Sequence, residues 1–383
     1  MIERTLASKV TSLAQKFQVI TLTGPRQSGK TTLVRATFPD LPYVSLEEPD
    51  IRQIALTDPR GFLSNYPNGV ILDEIQNTPE LFSYIQRIVD ENRQIQFILT
   101  GSSNFLLMEK ISQTLAGRTA VLHLLPFSLQ ELEPLADSYE NLIFKGQYPR
   151  IYDRAIPPTD FYPSYIQTYV DRDVRMIKNI GDINAFIQFT QLCAGRIGQP
   201  LNYASLASDA GISPNTAKSW LSILESSYIL FRLQPYHRNF NKRLIKSPKL
   251  YFYDTGVACS LLGIREQEQV NLHYMKGSLF KNLILNEFLK RSFNRGENRQ
   301  PYYWQDNHGK EIDCLLVNGE RVTAVEIKSG KTMSTSYFEN LKYWQSLAAL
   351  PENQEYVVYG GEQSMQTSVG TLISWRNLDR IPD

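Results

Sequence analysis

One stretch narrows what this chain can fold into more than any other. Gly24, Pro25, Arg26, Gln27, Ser28, Gly29, Lys30 and Thr31 match G-x-x-x-x-G-K-[ST], and Thr32 follows. The apolar run Val19-Ile20-Thr21-Leu22-Thr23 leads in as a strand, and Thr31 to Thr37 leads out as a helix. A glycine-rich turn between strand and helix aims backbone N–H groups inward, and the positive end of the helix dipole adds to them. All nine residues from Gly24 to Thr32 therefore read as a cradle for a nucleoside triphosphate. Lys30 can reach the β- and γ-phosphates, and the Thr31 hydroxyl can ligate Mg²⁺.

The following segments supply what such a loop needs. Tyr43 to Leu46 reads as a second strand, and a loop and helix run from Glu47 to Leu63. After the Asn68-Gly69 turn, the strand Val70-Ile71-Leu72 ends in Asp73 and Glu74. Asp73 is expected to hold the metal through water, and Glu74 to polarise the attacking water as general base. Gln76 to Asn92 reads as helix, and Ile95 to Thr100 as a strand ending in Gly101-Ser102-Ser103-Asn104. Polar groups at that edge of a parallel strand lie where open α/β sheets bind ligands. Thr100, Ser102 and Asn104 are the candidates for sensing the γ-phosphate, and spacing does not choose among them. A helix N-cap by Ser103 or Asn104 is the competing role. Ala120 to Leu125 gives a fifth strand. No N-K-x-D stretch for guanine is present, so ATP is the expected nucleotide.

At 383 residues the chain is long enough for two or three domains. No run approaches the ~20 apolar residues of a transmembrane helix, and the N-terminus lacks a secretory apolar segment. Cys193, Cys259 and Cys314 lie far apart without metal-ligand spacing, which suits reduced thiols in a cytoplasmic protein. The formal net charge is only +1, so any nucleic-acid contact must come from a local patch.

In the middle, Phe144-Lys145-Gly146-Gln147-Tyr148-Pro149 precedes a tyrosine-rich helix from Tyr162 to Ile177. Arg172 and Arg175 share a face there, to contact nucleotide or to pair with adjacent acids. Tyr203 to Leu221 has the pattern of a helix-turn-helix, with Gly211 in the turn, Ser213 as N-cap and Pro214 at the first helical position. Leu206, Ala210, Ile212, Ala217, Leu221 and Leu224 are its expected core. Ile229 to Leu233 reads as a wing strand, followed by the basic stretch 237–249 with His237, Arg238, Phe240, Lys242, Arg243, Lys246 and Lys249. Such a stretch suits the DNA backbone, and a lid or protein-contact role is the alternative.

Near the C-terminal end, Glu311-Ile312-Asp313-Cys314-Leu315-Leu316-Val317 and Val322 to Lys328 flank the Asn318-Gly319 hairpin turn. Period-2 alternation puts Glu326 and Lys328 on one face, beside Asp313. The pattern resembles the PD-(D/E)xK nuclease signature. Two carboxylates can bind Mg²⁺ and the lysine can activate water; a cross-strand salt bridge is the alternative. The helix from Gly277 to Phe293 carries Lys281 where that resemblance implies an acid. Glu287, on the apolar face with Phe280 and Leu283, is expected to complete the site or to pair with Lys328.

Taken together, Gly24 to Thr31, Leu72 to Gln76, Leu99 to Ser103 and Leu115-Ala116-Gly117-Arg118 resemble the AAA-type P-loop ATPases that carry a C-terminal DUF4143 domain. The resemblance implies Arg118 as a phosphate-facing arginine, in cis or from a neighbouring subunit. It also marks Gln147 as standing where a second glycine is common. The implied fold is α/β: a P-loop NTPase parallel sheet, then a helical and winged-helix module, then an α/β module like a restriction endonuclease. The expected boundaries are 1–135 for the ATPase domain, 136–180 for a helical lid, 181–262 for the winged helix and 263–383 for the nuclease-like part. The expected function is ATP and Mg²⁺ binding with hydrolysis, the nucleotide state positioning the later modules. A Mg²⁺-dependent DNA nuclease and a nucleotide-dependent switch for a protein partner are the alternatives, and oligomer formation stays open.

Overall fold

The computed structural model describes residues 2–102, 111, 113–169, 180, 182–237, 245–348 and 354–382. The first sheet is parallel throughout, with spatial order β2-β3-β4-β1-β5. Its strands are β1 Val19–Thr23, β2 Tyr43–Ser45, β3 Gly69–Asp73, β4 Gln96–Gly101 and β5 Thr119–His123. Strand β4 thus lies between the phosphate-loop strand and the strand of the paired acids. Every residue of β1 and β3 is buried, because helices cover both faces, as all-parallel sheets require. Val19, Leu72, Phe97 and Leu99 pack on one side with Phe82 and Ile85. Ile20, Leu22, Ile71 and Ile98 pack on the other with Leu6, Val10 and Val34.

The helix expected from Gln76 to Asn92 is shorter. A 3₁₀ turn, Ile75–Asn77, comes first, and the helix is Leu81–Glu91. Pro79 lies between them and lacks the backbone donor a continuous helix needs there.

The middle segment forms the helix-turn-helix from Tyr203–Asp209 and Pro214–Ser226. Ser213 Oγ accepts from the Thr216 amide at 3.1 Å, and Gly211 has φ +67° in the turn. Leu206, Ala217, Leu221 and Leu224 are fully buried. Strands β6 Leu230–Pro235 and β7 Lys249–Phe252 pair as the wing.

That wing does not stand apart. It belongs to the second, mixed sheet, β12-β13-β11-β10-β9-β8-β6-β7. The other strands are β8 Tyr302–Gln305, β9 Glu311–Asn318, β10 Arg321–Lys328, β11 Gln354–Tyr359, β12 Met365–Gln366 and β13 Thr371–Ser374. The junction is parallel pairing of Gln234 with Tyr302 and Pro235 with Tyr303. A division at 262/263 therefore runs through one sheet. It also runs through one core, which extends from Leu125 to Ile381. At its centre is the helix Lys276–Asn294, with Leu279, Phe280, Leu283, Ile284, Leu285, Phe288 and Leu289 buried around its circumference. A helix apolar on all sides has neighbours on all sides. This one packs on β10 and reaches back to β5. Among the described residues no helix is long and apolar enough to cross a membrane.

Candidate active site

The loop after β1 is shaped by its glycines. Gly24 has φ +151°, and a Cβ there would lie 2.1 Å from the Leu124 carbonyl oxygen, so only glycine lets the loop pass this close to the end of β5. Gly29 has φ +94° and caps the helix Lys30–Thr37. Lys30 is buried, and its ammonium donates to the carbonyls of Gly24 and Pro25, each at 2.9 Å. Among the described residues, the buried Ser28 Oγ has no hydrogen-bond partner. An unmet polar atom inside a phosphate-type loop is a place for a ligand oxygen.

The two acids at the end of β3 have different surroundings. Asp73 Oδ2 accepts from Thr31 Oγ1 at 2.9 Å and from the Tyr43 hydroxyl at 2.7 Å. Asp73 Oδ1 accepts from Thr100 Oγ1. Burial and the Asp73 carboxylate push the Tyr43 phenol well above its ordinary range, so it stays a donor. Glu74 takes a left-handed backbone, φ +54°. Its Oε2 accepts from the Ser102 amide at 3.3 Å, from Ser102 Oγ at 3.0 Å and from the Gln76 amide group. Thr100 and Ser102, expected as γ-phosphate sensors, thus hold Asp73 and Glu74 respectively. Asn104, with Ser103, lies outside the described residues, as do Arg172 and Arg175.

Arg118 does not face this loop. β5 runs parallel to β1 with Thr119 beside Val19 and His123 beside Thr23. Arg118 therefore sits at the opposite edge of the sheet, about 13 Å of strand away. There its guanidinium grips Asp90 at 2.6 and 2.9 Å. A role in cis is ruled out by this placement.

Two residues that the sequence did not single out support the loop. Arg4, buried, donates to the Ser28 carbonyl at 2.7 Å, to the Leu125 carbonyl at 2.6 Å and to Glu131 at 3.1 Å. It props the loop from below. The Tyr228 hydroxyl reaches Thr23 Oγ1 at 3.4 Å and His123 Nδ1 at 2.8 Å, bringing the helix-turn-helix to the root of the loop. Gln27, Glu74 and Tyr228 are three of the four non-glycine residues with positive φ among the described residues. Strained backbone thus gathers around this site. No local pattern marks Arg4 or Tyr228, because their partners are remote in sequence.

His123 gives a pH-dependent consequence. Burial lowers its imidazole to about 4 from the ordinary 6.5. Between those values the unfolded chain binds a proton that the folded chain does not, so stability falls as pH drops through this window, by up to about 3 kcal/mol. His123→Gln is expected to flatten that part of the acid limb, measured as thermal midpoints at pH 7 and pH 5. An identical drop in the variant would remove His123 as the cause.

The C-terminal acids are also placed otherwise than expected. Glu287 is not beside Asp313. It accepts from the Leu129 amide at 2.6 Å, Gln147 Nε2 at 2.8 Å and Lys290 Nζ at 3.0 Å. Lys290 donates further to the Phe127 carbonyl at 2.8 Å, and the Gln147 amide donates to Asp254 at 2.7 Å. Gln147 is thus a buried connector, which accounts for its presence where glycine is common. Gly146 (φ +63°) precedes it, with Tyr162 and Asp254 where a Cβ would point. Asp313, Glu326 and Lys328 do come together, with Glu326 to Lys328 at 2.9 Å. Lys281 joins them through Asp313. Lys249, expected on a basic surface, is buried and paired with Glu311 at 2.6 Å. Of the rest of 237–249, His237 and Lys246 are exposed, while Arg238, Phe240, Lys242 and Arg243 lie outside the described residues.

Residues 16–133 match a family described as AAA domain, and residues 276–378 a domain of unknown function, DUF4143. The chain carries an AAA-type P-loop domain and a C-terminal DUF4143 domain. Between them, residues 136–268 match another domain of unknown function, DUF8612. The chain is 26% identical over 337 residues to an uncharacterized protein of Mycobacterium tuberculosis, covering 87% of this chain and 75% of that one. It is 22% identical to an uncharacterized protein of Methanocaldococcus jannaschii, covering 79% and 73%. Among solved structures, it is similar to a Walker-type ATPase of Pyrococcus abyssi at 14% identity and a TM-score of 0.43, covering 68% of this chain and 96% of that one. It is also similar to domain III of the Thermotoga maritima replication initiation protein DnaA, at 13% identity and a TM-score of 0.26, covering 56% and 88%. The AAA domain contains the loop, Asp73 and Glu74; the DUF4143 domain contains Asp313, Glu326 and Lys328.

Proposed function

We propose that this chain hydrolyses ATP at the phosphate loop of its AAA domain. The observation that carries the reading is the convergence of Thr31, Asp73 and Glu74: a hydroxyl 2.9 Å from one carboxylate, with the second carboxylate next in sequence and held by Ser102 and Gln76. An all-oxygen donor set of this kind suits Mg²⁺, with Thr31 and Asp73 as its holders. When bound, Mg²⁺ would supply charge neutralisation on the phosphate oxygens.

The chain's own groups do the rest. Lys30 exchanges the carbonyls of Gly24 and Pro25 for phosphate oxygens. Arg4 keeps the loop from moving away as it does so. Glu74 takes a proton from the attacking water while the new P–O bond forms and the β–γ bridging bond breaks, releasing ADP and phosphate. For Arg118, partly exposed in its pair with Asp90, the reading is a role at a neighbouring subunit's site. The buried links from Leu129, Phe127 and Gln147 to Glu287 and Lys290 support coupling of nucleotide state to the DUF4143 domain. DNA contact has less behind it, because Lys249 is engaged internally.

Phosphate release by the purified chain with ATP and Mg²⁺, followed over a range of protein concentrations, tests this. Release is expected, with specific activity rising with concentration if Arg118 acts between subunits. Bound ATP without release would refute hydrolysis.

A further inference from the structure

Asp313 and Glu326 carry the sequence pattern of a divalent-metal site, but their surroundings do not fit a metal. Asp313 Oδ1 is taken by the Lys281 ammonium, and Asp313 Oδ2 by the Ile327 amide at 2.9 Å. Glu326 Oε2 is taken by Lys328 at 2.9 Å, and Oε1 faces Asn340 Nδ2 at 3.4 Å. Glu311, the next inward acid of β9, is taken by Lys249 at 2.6 Å and faces Lys281 at 3.9 Å. Glu287, the carboxylate that a metal site would have drawn in, is committed elsewhere, to Leu129, Gln147 and Lys290. Among the described residues no group of three or more His, Cys, Asp or Glu side chains is placed to hold a metal ion.

We propose that the Lys281 ammonium is the resident cation of this cluster, replacing a divalent ion, so that the DUF4143 domain assembles metal-free and does not hydrolyse phosphodiesters. Charge balance is the first argument. Glu311, Asp313 and Glu326 contribute three carboxylates; Lys249, Lys281 and Lys328 contribute three ammoniums. With all six groups ionised the cluster is neutral, and a divalent ion would leave an excess of at least two positive charges in a largely buried place. Donor chemistry is the second. An ammonium satisfies carboxylate lone pairs through N–H groups but offers no open coordination position at which water could be activated. Connectivity is the third. Lys249 comes from the wing strand β7, Lys281 from the long helix and Lys328 from β10. The cluster therefore ties the wing to the C-terminal sheet, a task that a metal held only by β9 and β10 would not perform.

The test uses the full chain without nucleotide and Mn²⁺ as the probe, read by thermal unfolding and by loss of the free Mn²⁺ paramagnetic signal. The wild-type chain is expected to show no Mn²⁺ uptake that depends on Asp313 and to keep its midpoint at millimolar Mn²⁺. Lys281→Met is expected to lower the midpoint by roughly 5–10 °C, with no rescue by Mn²⁺, because a buried carboxylate loses its partner. Lys281→Glu is expected to be destabilised in chelator and restored by Mn²⁺. Mn²⁺ uptake by the wild-type chain that disappears in Asp313→Asn would overturn the proposal. So would a Lys281→Met chain as stable as wild type, or a folded Lys281→Glu chain indifferent to Mn²⁺. If Lys281→Glu does not fold, the wild-type and Lys281→Met measurements decide.

Discussion

Replacing Glu74 by glutamine is expected to leave ATP affinity within about twofold and to cut turnover by about 100- to 10,000-fold, the range for loss of a positioned general base. The side chain keeps its shape, and its remaining carbonyl oxygen can still accept from Ser102 Oγ, so the loop and β4 keep their spacing. What is lost is a basic oxygen able to take the proton of the attacking water. Asp73, held by Thr31, Tyr43 and Thr100 and assigned to the metal in this reading, does not substitute as base. Single-turnover phosphate release, alongside nucleotide binding, separates the two quantities. Unchanged turnover in this variant would remove Glu74 as the base and shift attention to another water-positioning group.

Replacing Lys30 by alanine acts one step earlier. Its ammonium donates to the carbonyl oxygens of Gly24 and Pro25 within the loop, and charge-assisted bonds to phosphate are worth about 1.5–3 kcal/mol each. Loss of one bond of this kind is expected to raise the dissociation constant by about 10- to 150-fold. The fold should persist, since Gly24 and Pro25 lose a donor at a site open to water once the side chain is gone. Titration with a fluorescent ATP analogue, with a circular dichroism spectrum as the folding control, measures both. Wild-type affinity in a folded Lys30→Ala chain would show that the loop does not bind nucleotide through this lysine.

These two positions were legible because their chemistry is local. A strand, a glycine turn and a helix N-terminus occupy fewer than twenty consecutive residues, and the backbone itself makes the cradle. Asp73 and Glu74 were legible for the same reason, as the polar end of an apolar strand. The assistance given to them was not. Tyr43, Thr100 and Ser102 come from neighbouring strands, and their partners follow from the order β2-β3-β4-β1. The arginine just before β5 shows the reverse. Arg118 matched a familiar wording, yet strand direction puts it at the far edge from the loop.

The C-terminal half shows the same boundary more sharply. The sequence by itself determined the hairpin of β9 and β10 and placed Asp313, Glu326 and Lys328 on one face, because alternation along a strand is a property of the backbone. It also showed Lys281 in an unexpected place. Only the tertiary structure decided what that lysine does, since the helix carrying it crosses β10 and delivers the ammonium to Asp313. It likewise decided that Glu287 faces Gln147 and Lys290, and that the wing shares a sheet with the C-terminal strands. A charged side chain's partner depends on which elements pack together, and long-range packing is set by the whole core rather than by the residues beside it in the chain.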